Sequence, residues 1–194
     1  MKKLFLSLFS FAILLAFVAC ETTPIDSLEK EMKQWEKVEP NCYLFSASKK
    51  YVDFGNMYTI QLMSNGLAYE NKVWKGEGDF LTLSLYANPL NDGFPVNKKY
   101  NFVAYEEVSI ETKECLVGGY LNKTSSGAIT PMGTFAYDVD EVTQTAGGLV
   151  CTGGSVIMYG NCANAKIVAV LDFYTATGET VQREYIFSGP ININ

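Results

Sequence analysis

Five cysteines, a run of carboxylates and a tryptophan close to a tyrosine are the residues with chemistry to offer in this 194-residue chain. What is missing narrows that chemistry first. The chain has no histidine, so Ser–His–Asp and Cys–His catalysis are out of reach. No Cys-x-x-Cys pair stands in for the imidazoles, which disfavours zinc sites of ordinary spacing. Ser46-Ala47-Ser48-Lys49 spells Ser-x-x-Lys, but it reads as part of a strand and not as the helix start such a nucleophile needs. Gly118-Gly119 and Gly153-Gly154 lack the strand–loop–helix setting of a phosphate cradle and read as turns or bulges. Asp138-Val139-Asp140-Glu141 is the densest acidic cluster. On a strand, Asp138 and Asp140 share a face and would offer oxygens to a hard cation such as Ca²⁺; the plainer reading is a solvated strand end. Acids abound, yet no spacing selects two of them as a glycosidase pair. The expectation is a protein without catalytic residues, metal or cofactor, a carboxylate-based hydrolase being the remote alternative.

Cys20 stands apart from the other four cysteines. Met1-Lys2-Lys3 is a short positive segment, and Leu4 to Val18 is an apolar run broken only by Ser7 and Ser10. Such a run suits a signal peptide and falls short of the roughly 20 residues that span a bilayer. It ends in Phe17-Val18-Ala19-Cys20, a small residue before a cysteine. This reads as a lipobox: residues 1–19 are cleaved and the Cys20 thiol carries the lipid. Two or more acyl chains anchor stably. The expected address is the cell envelope, lipid-anchored, at the outer membrane on its periplasmic face or at the cell surface. Cys42, Cys115, Cys151 and Cys162 remain, and an exported chain permits disulfides; four free thiols are the alternative. One pairing is disfavoured by geometry. Gly154 to Tyr159 and Ala165 to Tyr174 read as the arms of a hairpin with Cys162 at its tip. Cys151 and Cys162 would then lie roughly 20 to 36 Å apart, against the about 7 Å a bridge tolerates. Any bridge should join distant segments, such as Cys115 with Cys162 or Cys42 with Cys151.

Two further positions invite modification or binding. Asp26-Ser27-Leu28 resembles the short Asp-Ser/Thr-aliphatic sequence that bacterial O-glycosylation enzymes accept, which makes Ser27 a candidate acceptor; the alternative is a helix cap. Trp74, between Lys72 and Lys75 and near Tyr69, has the apolar body and polar tip that suit sugar stacking or partner binding. Cross-strand packing is the plainer account of that pair.

These residues must be carried by something. Leu28, Met32 and Trp35 recur at helical spacing, so residues 27–37 read as one amphipathic helix ending before Pro40, with Asp26 and Glu29 as a capping pair. From Asn41 the period becomes two: Tyr58, Ile60 and Leu62; Leu81, Leu83 and Leu85; Phe135, Tyr137 and Val139; Ile167, Ala169, Leu171 and Phe173; Val181, Arg183, Tyr185 and Phe187 each share a face. Turn signals such as Asn65-Gly66, Asn91-Asp92-Gly93 and Thr177-Gly178 punctuate them. The pattern predicts an all-β fold, an antiparallel β-barrel or barrel-like sandwich of about nine or ten strands, with one short N-terminal helix. The organisation is then 1–19 signal peptide, 20–40 lipidated tether and helix, and 41–194 barrel domain. Removing Lys2 and Lys3 with the signal leaves thirteen basic against twenty-one acidic side chains, net −8. An acidic surface without a basic cluster disfavours nucleic acid and repels anionic headgroups, leaving the Cys20 lipid as the membrane contact.

The order of Tyr51–Leu62, Phe80–Tyr86 and Pro95–Phe102 is followed by Gly133-Thr134-Phe135-Ala136-Tyr137, Gly154 to Tyr159, Ala165 to Asp172 and a closing Tyr185-Ile186-Phe187-Ser188-Gly189-Pro190. This resembles a group of Bacteroidales-type lipoproteins with a calycin-like or related β-barrel domain, over most of 41–191. The resemblance implies a fold and an envelope address, and no activity. The expected function is a non-enzymatic binding or accessory module whose ligand is a glycan, a small apolar molecule or an envelope protein. The rival is a structural subunit that pairs an edge strand with a neighbour.

Overall fold

A computed structural model describes residues 24–52, 55–87, 94, 96–109, 111–112 and 114–193. Residues 1–19, expected to be a signal peptide, and Cys20, the expected lipidation site, lie outside the described residues. Among the described residues one α-helix, α1 (Pro24–Trp35), precedes the strands. It begins earlier than its periodicity predicts because Pro24, with its fixed φ and no N–H to satisfy, opens the first turn. Asp26 therefore sits inside the helix and not at its cap.

Nine strands form one wall. β1 (Cys42–Val52), β2 (Gly55–Ser64) and β5 (Gly78–Ala87) are joined antiparallel, as are β11 (Thr145–Asn161), β12 (Asn164–Tyr174) and β13 (Thr180–Gly189). β10 (Phe135–Asp140) bridges one half of β5 to one half of β11. β6 (Lys98–Val103) and β7 (Cys115–Val117) bridge their other halves. The strands β5, β7, β6, β11 and β10 thus close a five-strand ring, with the remaining strands extending it. β1 meets β13 through Asn41: its N–H donates to Ile186 O at 2.9 Å, and Ile186 N–H donates to its side-chain Oδ1 at 2.7 Å. One joint departs from the antiparallel expectation. β6 and β7 run parallel, Phe102 beside Leu116; the loop between them holds a 3-10 turn at Tyr105–Glu107 and is long enough for a crossover. Two small hairpins complete the set, β3 (Ala68–Glu70) with β4 (Val73–Lys75), and β8 (Tyr120–Lys123) with β9 (Ile129–Met132).

The alternating residues fill the interior. Tyr58, Ile60, Leu62, Leu81, Leu83, Leu85, Ile167, Ala169, Leu171 and Phe173 are all buried in one cluster. β10 buries residues from both faces: Ala136 and Val139 are buried while Phe135 and Tyr137 stay half-buried. The β11–β12 hairpin is as the sequence predicts, Asn161 opposite Asn164 with Cys162 at the tip. Gly153-Gly154 lies at a bulge, where the register shifts between Cys151 and Gly153 and Gly154 takes φ +107. Gly119 marks the point where β7 gives way to β10; a Cβ there would stand 2.3 Å from Thr134 O. The four cysteines among the described residues are free thiols, Cys42, Cys115 and Cys151 buried and Cys162 exposed. Neither proposed long-range bridge, Cys115–Cys162 nor Cys42–Cys151, is formed.

α1 crosses the outside of the wall. Its apolar residues Leu28, Met32 and Trp35 are half-buried. Lys99 of β6 pairs with Glu31 at 2.8 Å. At the other end, Lys166 Nζ of β12 donates to Trp35 O, Glu36 O and Val38 O at 2.5, 3.1 and 2.9 Å. A cation on the last carbonyls of a helix satisfies orphan acceptors and opposes the negative end of the dipole.

Candidate functional site

The β3–β4 hairpin brings Tyr69 and Trp74 directly opposite one another. Their ring centroids are 4.6 Å apart and the planes tilt by 48°. The hairpin turns on Asn71 and Lys72, both at positive φ (51° and 66°), the two-residue geometry that matches strand twist. It is fastened to the β10–β11 turn by side chains that imitate a strand. Trp74 N–H donates to Gln144 Oε1 at 2.9 Å and Gln144 Nε2 donates back to Trp74 O at 3.0 Å. Gly76 N–H donates to a Glu141 carboxylate oxygen at 2.7 Å.

Sequence reasoning found Tyr69 and Trp74 but missed the residues that extend them. Trp74 lies 6.0 Å from Phe80 of β5, and Phe80 lies 5.5 Å edge-to-face from Phe45 of β1. Phe45 lies at the register shift between Leu44 and Ser46; like Tyr43 it faces outward while Cys42 and Leu44 turn in, and beyond the shift the inward residue is Ala47. The result is a run of four aromatic rings on the outer surface, with Tyr69 44% and Phe45 48% exposed. Neither Phe45 nor Gln144 left a signal, because Cys42 to Phe45 is apolar on both faces of the strand. Beneath the run, Tyr43 OH donates to Leu67 O at 2.5 Å, and Met63 and Leu67 are buried, so the hairpin has a small core of its own. Rings held this way offer flat apolar faces at almost no further entropic cost.

The acidic pair goes elsewhere. Asp138 faces Arg183 of β13 at 3.0 Å. Arg183 also pairs with Asp79, whose other oxygen accepts from Tyr185 OH at 2.8 Å. Asp140 closes the next turn by accepting from Val142 N–H at 2.8 Å and Thr143 N–H at 3.2 Å. Asp138 Oδ2 thus faces a guanidinium and Asp140 Oδ1 two backbone donors, and the two carboxylates do not converge on one point. Among the described residues no group of three or more Cys, Asp or Glu side chains converges as a metal site would. The Arg183 cluster links β13 to β5 and β10, with Asp79 and Tyr185 buried and Asp138 exposed, and its one sequence signal was an arginine on the otherwise apolar face of Val181, Tyr185 and Phe187.

The remaining candidates are scattered. Burial pushes the Cys42 and Cys151 thiols up to about 12 and Cys115 to about 11, so none is a poised nucleophile. Ser46 and Lys49 lie on β1, in strand and not at a helix start. Ser27 is exposed but lies within α1, facing a polar cleft of 470 Å³ shared with Asn97, Lys98 and Asn101. A second cleft, of 260 Å³, runs between Met32, Lys33 and Glu36 of α1 and Tyr159 of β11. Both lie outside the wall. No family model matches the chain, and no curated protein or solved structure matches it.

Proposed function

We propose that this is a lipid-anchored envelope protein, held by Cys20, that binds a glycan on the aromatic run of Tyr69, Trp74, Phe80 and Phe45 without catalysing a reaction. The calycin-like lipoprotein kinship suggested by its motifs fits that reading. The observation that carries it is the run itself: four linked rings, Tyr69 and Phe45 exposed and Trp74 and Phe80 half-buried, on the outside of a barrel whose interior is filled by its own side chains. A filled interior favours an outer site over an enclosed one, and sugar rings present apolar faces that stack on aromatics. Titration calorimetry against a panel of soluble oligosaccharides and polysaccharides tests it. Binding to at least one, weakened tenfold or more by Trp74→Ala, is expected. No heat with any glycan, or heat that Trp74→Ala leaves unchanged, overturns the glycan reading. The anchor has its own test: Cys20→Ala should abolish labelling by radioactive fatty acid, and persistent labelling would refute it.

A second reading, a subunit bound to another envelope protein, draws on the β8–β9 hairpin. It stands off the wall with Leu121 60% and Ile129 65% exposed and leaves both strands without an outer neighbour. A partner recovered in stoichiometric amount, and lost on Leu121→Asp, would favour it.

A further inference from the structure

The aromatic run continues past Phe80. Phe80 of β5 stands directly opposite Tyr137 of β10, and opposite side chains in an antiparallel pair share a face, with Cβ atoms about 5 Å apart. Tyr137 is half-buried and meets Phe135 edge-to-face at 5.4 Å. On the next strand Tyr137 stands opposite Gly148 of β11. Gly148 is exposed, and a Cβ built on it would meet nothing within 4 Å. A ring opposite a strand glycine can lie over it and replace its missing side chain; Tyr137 leaves it bare. The backbone of Gly148 is open too. Cys151 N–H donates to Thr134 O at 3.1 Å, which turns the polar groups of the alternate residues Leu149 and Gly147 toward β10 and those of Gly148 away from it. β12 joins β11 only from Val150 onward, so among the described residues no strand stands on that side of Gly148. A glycine inside a strand marks a place where a ligand or another backbone comes close, and here both the space and the hydrogen-bonding groups are present.

The chemistry of this face is uniform. The side chains turned to it, Phe80, Thr82, Phe135, Tyr137 and Val150, carry no charge, in a chain with fifteen basic and twenty-one acidic residues. The carboxylates between them, Asp79 and Asp138, alternate to the opposite face and meet Arg183. An uncharged aromatic patch on a charged protein marks an interaction site, and an ionic ligand would lose hydration there without gaining a counter-charge. The face is also open at both sides. Tyr69 is exposed at one, and at the other nothing stands beyond Gly148 among the described strands. Phe80 and Gly148 lie two strand spacings apart, about 10 Å, and Trp74 and Tyr69 extend the contact further.

We infer that the glycan site extends from Phe80 across Tyr137 to Gly148, and that it binds the interior of a neutral polysaccharide along several sugar units. This rests on the glycan reading above. Sugar faces stack on the rings of Trp74 and Tyr137, and a sugar hydroxyl over the bare strip hydrogen-bonds Gly148 N–H or C=O. A surface open at both sides lets the polymer continue in either direction, where an enclosed pocket would select a chain end.

The full chain, held in detergent, is titrated with dextran, soluble starch, galactomannan and xyloglucan, each beside its own disaccharide, and with polygalacturonate as the anionic comparison. At least one neutral polymer should bind, tenfold or more tighter than its disaccharide, and polygalacturonate should not. Gly148→Val fills the strip. The added side chain starts in open space at a backbone position outside the left-handed region, and valine suits a strand better than glycine. The melting temperature should therefore hold or rise while affinity for the polymer falls fivefold or more. Should Gly148→Val fail to fold, Tyr137→Ala is read in its place, with the same loss expected. Binding that Trp74→Ala weakens and Gly148→Val leaves at the wild-type level overturns the extension and leaves the glycan reading standing. A disaccharide bound as tightly as its polymer, or polygalacturonate bound in preference, does the same. Self-association of the chain that Gly148→Val abolishes would give the face to a second copy and overturn the extension. Binding to none of these glycans overturns both.

Discussion

Cys42, Cys115, Cys151, Tyr100 and Tyr185 are all buried, and burial disfavours the anion each would become. The thiols rise to between about 11 and 12. Both phenols rise well above their ordinary 10, first through burial and then through a neighbouring carboxylate, Glu114 for Tyr100 and Asp79 for Tyr185. In the unfolded chain these groups ionise near 9 and 10. Between those values and the folded ones the folded state holds more protons than the unfolded, so stability falls as pH rises. Below pH 9 the contribution is fully present. Above it each group costs about 1.4 kcal/mol per pH unit until its folded value is reached. The urea midpoint, measured under reductant, should drop steeply from pH 9 to pH 11, and Cys151→Ala should make the drop shallower. A midpoint that holds steady to pH 11 would mean that these groups are solvated. Tyr185 and Arg183 also show how far single residues were legible. Their shared face was plain from period two, but that Arg183 reaches Asp79 and Asp138 on β5 and β10 depends on three strands meeting across the barrel, which no local pattern records.

The β3–β4 hairpin, which carries the proposed glycan site, rests on an awkward turn. Lys72 adopts φ 66°, a conformation that costs a residue with a Cβ about 1 kcal/mol or more. Asn71 tolerates it, and glycine at the second position would complete the favoured pair. Lys72→Gly should therefore stabilise the protein by about 0.5–1 kcal/mol, a rise in melting temperature of roughly 2–4 °C, and leave the proposed glycan binding at Trp74 intact. Scanning calorimetry checks it; a lower melting temperature would show that the Lys72 side chain contributes more than its backbone costs. The turn also explains what sequence reading missed. Asn65-Gly66 carried the stronger hairpin signal, yet only Gly66 takes positive φ there (94°), and that turn leads out of β2 into the small hairpin. Strands with long alternation were legible because one buried face dictates every second residue. β3, β4, β8 and β9 are three or four residues each, too short to show a period. The parallel joint of β6 with β7 was hidden because each strand's own pattern is silent about its neighbour's direction.

Closing the wall depends on the two ends of the folded chain finding each other. Asn41 and Ile186 are 145 residues apart in sequence, and Asn41 Nδ2 also donates to Glu184 O at 2.8 Å. The long separation makes this contact entropically expensive to form early, whereas the hairpins β1–β2, β11–β12 and β12–β13 close short loops. The chain should therefore build two three-stranded units first, with β1 joining β13 after the transition state. A barrel dominated by such distant pairings folds slowly, in milliseconds to seconds. Asn41→Ala removes both side-chain bonds and leaves the N–H of buried Ile186 without its acceptor, a loss of about 1–3 kcal/mol. Since the contact forms late, the loss should appear in unfolding: at about 2 kcal/mol, unfolding accelerates roughly 30-fold while the folding rate stays unchanged. Stopped-flow chevrons of the wild-type and Asn41→Ala chains would show the unfolding arm displaced upward and the folding arms superimposed. A slowed folding arm with an unmoved unfolding arm would instead place β1 and β13 together in the nucleus, and closure would then be the first event in folding and not the last.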